Sequence, residues 1–139
     1  MKLSPHLVFN GQCHEAFSFY EQALGGKIVT MLSYGESPMA DQVAPEWHGR
    51  IVHATLTLGD DVLSGVDALP TDFKPPQGFY ILLDPGDPDE GERVFRLLAQ
   101  HGDVRIPVQK TFWSPCYGML VDRFGIPWEI SCAGEGSPG

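Results

Sequence analysis

The chain has 139 residues, of which 42% are hydrophobic and 19% are charged. This size and composition favour a single soluble globular domain with a substantial core. Nine basic residues stand against eighteen acidic ones, so the net charge is −9. This charge argues against a nucleic-acid partner, because phosphate backbones are bound by basic patches.

Membrane spans and signal peptides have sequence patterns that this chain lacks. No apolar run approaches the roughly 20 residues of a membrane span, and the first residues, MKLSPHLVFN, do not have the three regions of a signal peptide. We therefore expect a cytoplasmic protein with no membrane partner. The cysteines Cys13, Cys116 and Cys132 are odd in number, widely spaced and without a CxxC pair, which favours reduced thiols over a disulfide framework or a zinc ribbon.

The first half of the chain predicts one strand, one helix and three further strands. The strand lies in residues 3–10, and the helix in HEAFSFYEQALGG has apolar residues at helical spacing before a Gly-Gly stop. The three following strands are KIVTMLSYG, RIVHATLTLG and DVLSGVDA. The loop at 35–49 is too long for a simple hairpin turn, and such loops are often lids or interface arms.

The second half of the chain repeats this order. GFYILLD at 78–84 predicts a strand, and DPDEGERVFRLLAQHG predicts a helix with Asp87 as N-cap, Pro88 at the first helical position and Gly102 as terminator. Three strands follow: VRIPVQKTFW, YGMLVDRF and IPWEISCA. The helices match at an offset of 76 residues and the hairpin glycines Gly59 and Gly125 at an offset of 66, which supports an internal duplication with one longer loop in the first unit.

The duplication predicts an α+β fold of two tandem β-α-β-β-β modules. Each mixed sheet would have one face under its helix and one free face, and the two sheets would form a cupped cleft or incomplete barrel. Within a single domain, module one would span 1–68, a proline-containing linker 69–77, module two 78–134 and a flexible tail 135–139.

Strand alternation assigns three potential metal ligands to the free faces. His6, His53 and Glu129 each lie in the row opposite the apolar residues of their strand. Two imidazoles and one carboxylate can hold a divalent cation and leave positions open for water or substrate. The alternative is that the histidines are hydrogen-bonded cavity residues and that Glu129 pairs with Lys110 or Arg123.

The sequence resembles the vicinal oxygen chelate superfamily of glyoxalase I, bleomycin-resistance proteins, fosfomycin-resistance proteins and extradiol dioxygenases, and within it the PhnB-like branch. The resemblance covers nearly the whole chain. Its motifs are SPHLVFNG at 4–11, AFSFYEQALGG at 16–26, VHATLTLGDD at 52–61 and above all KTFWSPCYGMLVDRFGIPWEIS at 110–131.

The resemblance implies a metal site only in part. Superfamily members usually have a glutamate four residues after the last hairpin glycine, as Glu129 follows Gly125 here, and His6 is a candidate for the usual first-strand histidine. However, Phe79 stands near the position of the second module's usual histidine, and Leu63 stands where the resemblance implies another ligand. A bound Ni, Zn, Mn or Fe ion would therefore have an incomplete set of the ligands that are usual in glyoxalase-like proteins.

Two classes of function remain open at this point. The first is a metal-dependent lyase, isomerase or ring-opening transferase, in which His6, His53 and Glu129 hold a cation that binds two adjacent substrate oxygens. Glu129 could instead act as its general base. The second is a metal-free protein that sequesters a small aromatic or cationic ligand, as the bleomycin-resistance branch does. A scaffold that has lost activity is a third reading, and the family also implies a homodimer.

The predicted ligand-binding residues lie mainly in one segment. Aromatic residues with a few polar groups are the usual lining of a small-molecule site, although they also dominate ordinary cores. The candidates are Thr55, Lys110, Phe112, Trp113 and Tyr117. Sequences of this branch are sometimes called ubiquinone methyltransferases, but the chain has no glycine-rich strand-to-helix turn that would predict a nucleotide-like cofactor.

Overall fold

A computed structural model describes residues 1–133 of the chain. In chain order, its α-helices and strands are β1 (His6–Phe9), α1 (Cys13–Leu24), β2 (Lys27–Ser33), β3 (Ile51–Leu58), β4 (Asp61–Asp67), β5 (Ile81–Leu83), α2 (Pro88–Ala99), β6 (Asp103–Gln109), β7 (Tyr117–Val121) and β8 (Pro127–Ser131); two short 3-10 helices, Ala40–Gln42 and Pro45–Trp47, lie in the loop between β2 and β3. None of the helices in this range is both long enough and apolar enough to cross a membrane.

The chain divides into two compact units, Met1–Lys74 and a second that begins at Pro75. Each unit has the order β-α-β-β-β and one mixed four-stranded sheet, β1-β4-β3-β2 in the first and β5-β8-β7-β6 in the second. The predicted α+β fold of two modules is confirmed. The division falls inside the predicted linker 69–77, whereas residue 134 and the predicted tail 135–139 lie outside the described residues.

Both sheets are mixed because the first strand of each unit runs parallel to its neighbour. β1 pairs with β4 and β5 pairs with β8 in parallel, while the other strand pairs are antiparallel. A parallel pair needs a crossover between its strands, and in each unit the helix and two further strands provide it. The first strand of a module therefore lies beside the last.

Helix α1 ends where the Gly-Gly pair predicted. Gly25 adopts a left-handed conformation with φ of 77°, and its N–H donates to the carbonyl of Glu21. A Cβ atom on Gly26 would lie 2.6 Å from the carbonyl oxygen of Thr57. The first glycine therefore allows the left-handed cap, and the second allows the chain to pass close to β3.

Helix α2 begins as predicted but ends differently. The Asp87 side chain accepts a hydrogen bond from the N–H of Asp89 at 3.4 Å, and Pro88 is the first helical residue. The helix ends at Ala99, three residues before the predicted terminator Gly102, and the residue there with a positive φ, 59°, is His101. Gly102 serves close packing instead, because a Cβ there would lie 2.5 Å from the Val121 carbonyl oxygen.

Two predicted strands are shorter than their apolar sequences indicated. Of GFYILLD, only Ile81–Leu83 forms a strand, and β6 ends at Gln109 instead of continuing through KTFW. Thr111 and Ser114 close a turn in that segment: the Thr111 N–H donates to the Ser114 carbonyl at 2.8 Å, and the Ser114 N–H donates to Thr111 Oγ1 at 3.1 Å. These local hydrogen bonds compete with sheet pairing.

Each unit contains a buried carboxylate that the sequence did not single out. Asp67 accepts hydrogen bonds from the N–H groups of Cys13 and Ile51, both at 2.9 Å, and so connects the start of α1 with the start of β3. Asp122 accepts the N–H groups of Phe124 and Ile126 in the turn between β7 and β8. Both acids bond to groups inside their own unit, which identifies them as structural residues.

Candidate functional site

Glu129 lies on the half-exposed face of the sheet in the second unit. Its neighbours in β8, Trp128 and Ile130, are 1% and 0% exposed and belong to the core, as alternation predicted. Glu129 is directly opposite Met119 in β7. Since side chains two residues apart share a face, Tyr117 lies diagonally across from Glu129.

The Tyr117 hydroxyl forms a hydrogen bond with the Glu129 carboxylate. Burial raises the pKa of Tyr117 above its ordinary value, and the negative charge of Glu129 and this hydrogen bond raise it further. The phenol therefore stays protonated at neutral pH and acts as a donor. A half-buried carboxylate between two core residues is thus stabilised by a partner from the adjacent strand.

Two more aromatic side chains extend from Tyr117. The ring of Trp113 contacts that of Tyr117 edge-on, with centroids 5.2 Å apart, and Phe112 contacts Trp113 in the same way at 4.6 Å. Phe112 is 96% exposed and Trp113 is 39% exposed. We call Phe112, Trp113, Tyr117 and Glu129 the aromatic–carboxylate face. Three of these are predicted ligand-binding residues and the fourth is the predicted catalytic residue.

The opposite side of the sheet explains why this face is available. Helix α2 packs on the other face, where a Cβ on Gly118 would lie 2.6 Å from the ring of Phe95. Gly118 is buried, whereas its neighbour Tyr117 is only half-buried. The aromatic–carboxylate face therefore points away from its own helix.

Tyr80 is a neighbour of this face that sequence reasoning missed. Its hydroxyl is close enough to Tyr117 to contribute to the raised pKa of that residue, and its side chain is 37% exposed. Leu82 pairs directly with Glu129. Tyr80 precedes Leu82 by two residues, so extending the alternation backwards from β5 would have placed it on the same face.

Lys110 is the remaining predicted ligand-binding residue of the second unit. It follows the last residue of β6 and begins the segment that carries Phe112 and Trp113. Its side chain is exposed. The structure therefore puts this cation in the turn before the aromatic side chains and outside the sheet.

His6, His53 and Thr55 lie in the first unit. His6 is in register with Ser64 of β4, and Ser64 is in register with Thr55 of β3. Adjacent strands are about 4.8 Å apart, so the backbones of His6 and Thr55 are separated by roughly 10 Å, and His53 lies two residues farther along β3. Both histidines are exposed, and β4 lies between them.

The predicted metal ligands do not form a complete site within either unit. Over residues 1–133, neither unit groups three His, Cys, Asp or Glu side chains that could hold a metal ion. In the first unit, a strand separates His6 from His53, and in the second, Glu129 is hydrogen-bonded to Tyr117. The set of His6, His53 and Glu129 draws on both units and stays a prediction.

Comparison with known proteins places the chain in a family. A family model described as 3-demethylubiquinone-9 3-methyltransferase matches residues 1–131. The protein YjdN of Escherichia coli is 34% identical over 140 residues, which cover 94% of this chain and 95% of YjdN.

Two solved structures have the same fold. Protein PA1353 from Pseudomonas aeruginosa is 39% identical, with a TM-score of 0.88 over 96% of this chain and 98% of that one. The PhnB protein from Bacillus cereus is 28% identical, with a TM-score of 0.73 over 96% of this chain and 100% of that one. The chain belongs to the family described as 3-demethylubiquinone-9 3-methyltransferase, the PhnB-like branch of the vicinal oxygen chelate superfamily.

Proposed function

We propose that the protein binds a small organic cation with an aromatic or apolar part, without a metal, at the aromatic–carboxylate face. The observation that carries this proposal is the contact series from Glu129 through Tyr117 and Trp113 to Phe112. It combines one negative charge with three ring systems in a single unit.

The chemistry of these groups supports a cationic ligand. Aromatic ring faces attract cations with about 0.5–1 kcal/mol at exposed sites and more when water is excluded. The Glu129 carboxylate adds a formal charge, and the net charge of −9 favours the approach of cations over anions. Exposed aromatic rings in mutual contact, such as those of Phe112 and Trp113, are typical of interaction sites.

The methyltransferase named in the family description does not guide this proposal. Nucleotide-like cofactors are held in doubly wound folds by a glycine-rich turn between a strand and a helix. Each strand-to-helix turn of this chain has one glycine, Gly11 after β1 and Gly86 after β5. Neither turn has the repeated glycines that let a backbone approach a pyrophosphate.

A second candidate is a metal-dependent lyase, isomerase or transferase of the superfamily. It is favoured by His6 and His53, whose side chains are exposed in the first unit. Exposed imidazoles are side chains that can bind a metal ion. We rank it second because neither unit supplies a complete ligand set among its described residues.

Isothermal titration calorimetry with three simple probes tests the first proposal. Benzyltrimethylammonium carries both a cation and a ring, tetramethylammonium only the cation, and benzyl alcohol only the ring. We expect the first probe to bind most tightly. Glu129→Gln should weaken its binding about fivefold, because a loss near 1 kcal/mol corresponds to that factor, and should leave benzyl alcohol unaffected.

Matched variants locate the binding site. Trp113→Ala should weaken the binding of both aromatic probes. Asp89→Asn removes a negative charge from an exposed position of helix α2 and should leave the binding of both probes unchanged. If Asp89→Asn weakened the binding of benzyltrimethylammonium as much as Glu129→Gln does, the attraction of the cation would be a general effect of the protein's net charge. Absence of binding by all three probes would reject the proposal.

A further inference from the structure

Cys116 and Cys132 face each other across the two strands β7 and β8. The register pairs Tyr117 with Ser131, so the residue before Tyr117 meets the residue after Ser131. The N–H of Cys132 donates to the carbonyl of Cys116 at 3.0 Å, which continues the ladder by one pair. Directly opposed residues of antiparallel strands have Cα atoms about 4.5–5.5 Å apart, within the span of a disulfide.

The two sulfur atoms are neighbours under helix α2. A Cβ atom on Gly91 would lie 2.8 Å from the sulfur of Cys116 and 2.9 Å from that of Cys132, so both sulfurs approach one point. The Cys132 thiol donates to the carbonyl oxygen of Asp87 at 3.6 Å, and the adjacent Cys116 contributes to the raised pKa of Cys132. Glycine at position 91 leaves the space that the pair occupies.

Ser114 holds the two cysteine backbones together. Its hydroxyl oxygen lies 2.8 Å from the carbonyl oxygen of Cys116 and 2.7 Å from that of Cys132. The N–H of Cys116 in turn donates to Ser114 Oγ at 3.2 Å. One buried side chain thus joins both strand ends at the point where the thiols meet, which limits sliding of one cysteine past the other.

We propose that Cys116 and Cys132 form a reversible dithiol site that small disulfide oxidants convert to an intramolecular cross-strand disulfide. The site lies on the helix-covered face of the sheet, opposite to Tyr117. Cys13 belongs to the first unit and takes no part in it.

The oxidation is a pair of thiol–disulfide exchanges that balance. The thiolate of one cysteine attacks a sulfur of the oxidant, forms a mixed disulfide and releases the first oxidant thiolate. The second cysteine, after losing its proton, attacks the protein sulfur of the mixed disulfide and releases the second thiolate. The two cysteine protons end on the oxidant, which is reduced to a dithiol while the cysteines are oxidised.

Burial makes this exchange slow at neutral pH. It raises the pKa of Cys116 and, together with the adjacent Cys116, raises the pKa of Cys132 to about 12. Only the thiolate attacks, so the rate should increase with pH over the range in which the fold persists. Cys116 and Cys132 are 3% and 0% exposed, which favours a small oxidant over a protein disulfide.

The test incubates the full chain with oxidised dithiothreitol, then denatures it, alkylates the free thiols and maps the peptides by mass spectrometry. We expect two of the three free thiols to disappear, with one disulfide-linked peptide pair that contains Cys116 and Cys132, and reduced dithiothreitol should restore them. Circular dichroism before denaturation checks that the reacting protein is folded.

Three variants separate the pair from general thiol oxidation. Cys13→Ser should leave the disulfide unchanged, Cys116→Ser should abolish it, and Ser114→Ala should slow its formation. The wild-type peptide map decides the matter even if a variant fails to fold. Retention of all three thiols in folded protein at alkaline pH, a reaction that stops at a mixed disulfide, or a link to Cys13 would overturn the proposal.

Discussion

At the scale of single residues, the contact between Tyr117 and Glu129 explains how an apolar strand accommodates a carboxylate. Alternation directs Trp128 and Ile130 into the core and Glu129 to the other face, where the Tyr117 hydroxyl binds its carboxylate. A carboxylate that is partly removed from water needs such a donor. The tyrosine ring also contacts that of Trp113, with centroids 5.2 Å apart.

Glu129→Gln should lower the pKa of Tyr117 towards the ordinary value of about 10. The negative carboxylate opposes formation of a phenolate, and its hydrogen bond favours the protonated phenol, so removal of the charge makes ionisation easier. The measurement is an alkaline NMR titration of protein labelled at the tyrosine ring, with Tyr117→Phe to assign the signal. A Tyr117 signal that titrates identically in both proteins would show that Glu129 does not act on the phenol.

At the scale of secondary-structure elements, Asp122 holds the turn between β7 and β8. Besides two backbone N–H groups, it accepts the indole N–H of Trp128 at 2.8 Å. Gly125 allows the tight turn with a φ of 88°. The hairpin that carries Tyr117 and Glu129 therefore depends on a carboxylate on the opposite, buried side.

Asp122→Ala should lower the free energy of unfolding by about 3 kcal/mol, because it leaves three donors without this acceptor in a buried region. Asp122→Asn should cost less, since one amide oxygen can still accept the two backbone groups. Urea unfolding followed by circular dichroism gives both values. Asp60→Ala, in the exposed turn between β3 and β4, is the control and should change stability by less than about 0.5 kcal/mol.

Gly91→Ala should destabilise the protein although alanine is the better helix former. The added methyl would stand within 3 Å of two sulfur atoms, and overpacking of this kind costs about 1–3 kcal/mol, more than the roughly 1 kcal/mol gained in helix propensity. The control is Gly49→Ala, where a Cβ meets no atom within 4 Å. Thermal unfolding in reducing buffer compares the two, and an unchanged midpoint for Gly91→Ala would show that the thiols do not fill this space.

At the scale of the whole molecule, both units have one architecture and different chemistry. The first unit exposes two imidazoles, His6 and His53, and the second exposes the aromatic–carboxylate face. The same β-α-β-β-β frame thus presents different side chains on equivalent faces. Ligand binding at the second unit should for this reason be independent of the histidines in the first.

Removal of metal separates the two candidate functions. We expect affinity for benzyltrimethylammonium to be unchanged after dialysis against a chelator and in the His6→Ala and His53→Ala variants. The check is calorimetry combined with elemental analysis of untagged protein. About one Ni, Zn, Mn or Fe per chain that disappears with Glu129→Ala, together with a loss of probe binding after chelation, would favour the metal-dependent enzyme instead.

Much of the fold could be predicted because its signals are local. The alternation of apolar and polar residues in β8 assigned Trp128 and Ile130 to the core, and α1 ends at the Gly-Gly pair as predicted. For the candidate site, the sequence predicted which residues take part but not which of them are in contact. The turn at Thr111 and Ser114 was missed, because apolar residues beside it favoured a longer strand and hydroxyl hydrogen bonds have no period.

The sequence by itself determined the two β-α-β-β-β units, the family and the strand faces of His6, His53 and Glu129, because periodicity, glycine positions and motif spacing are properties of neighbouring residues. Only the tertiary structure decided which distant residues meet. The pairing of β7 with β8 brings Tyr117 to Glu129 and Cys116 to Cys132, since register joins positions that no local pattern connects.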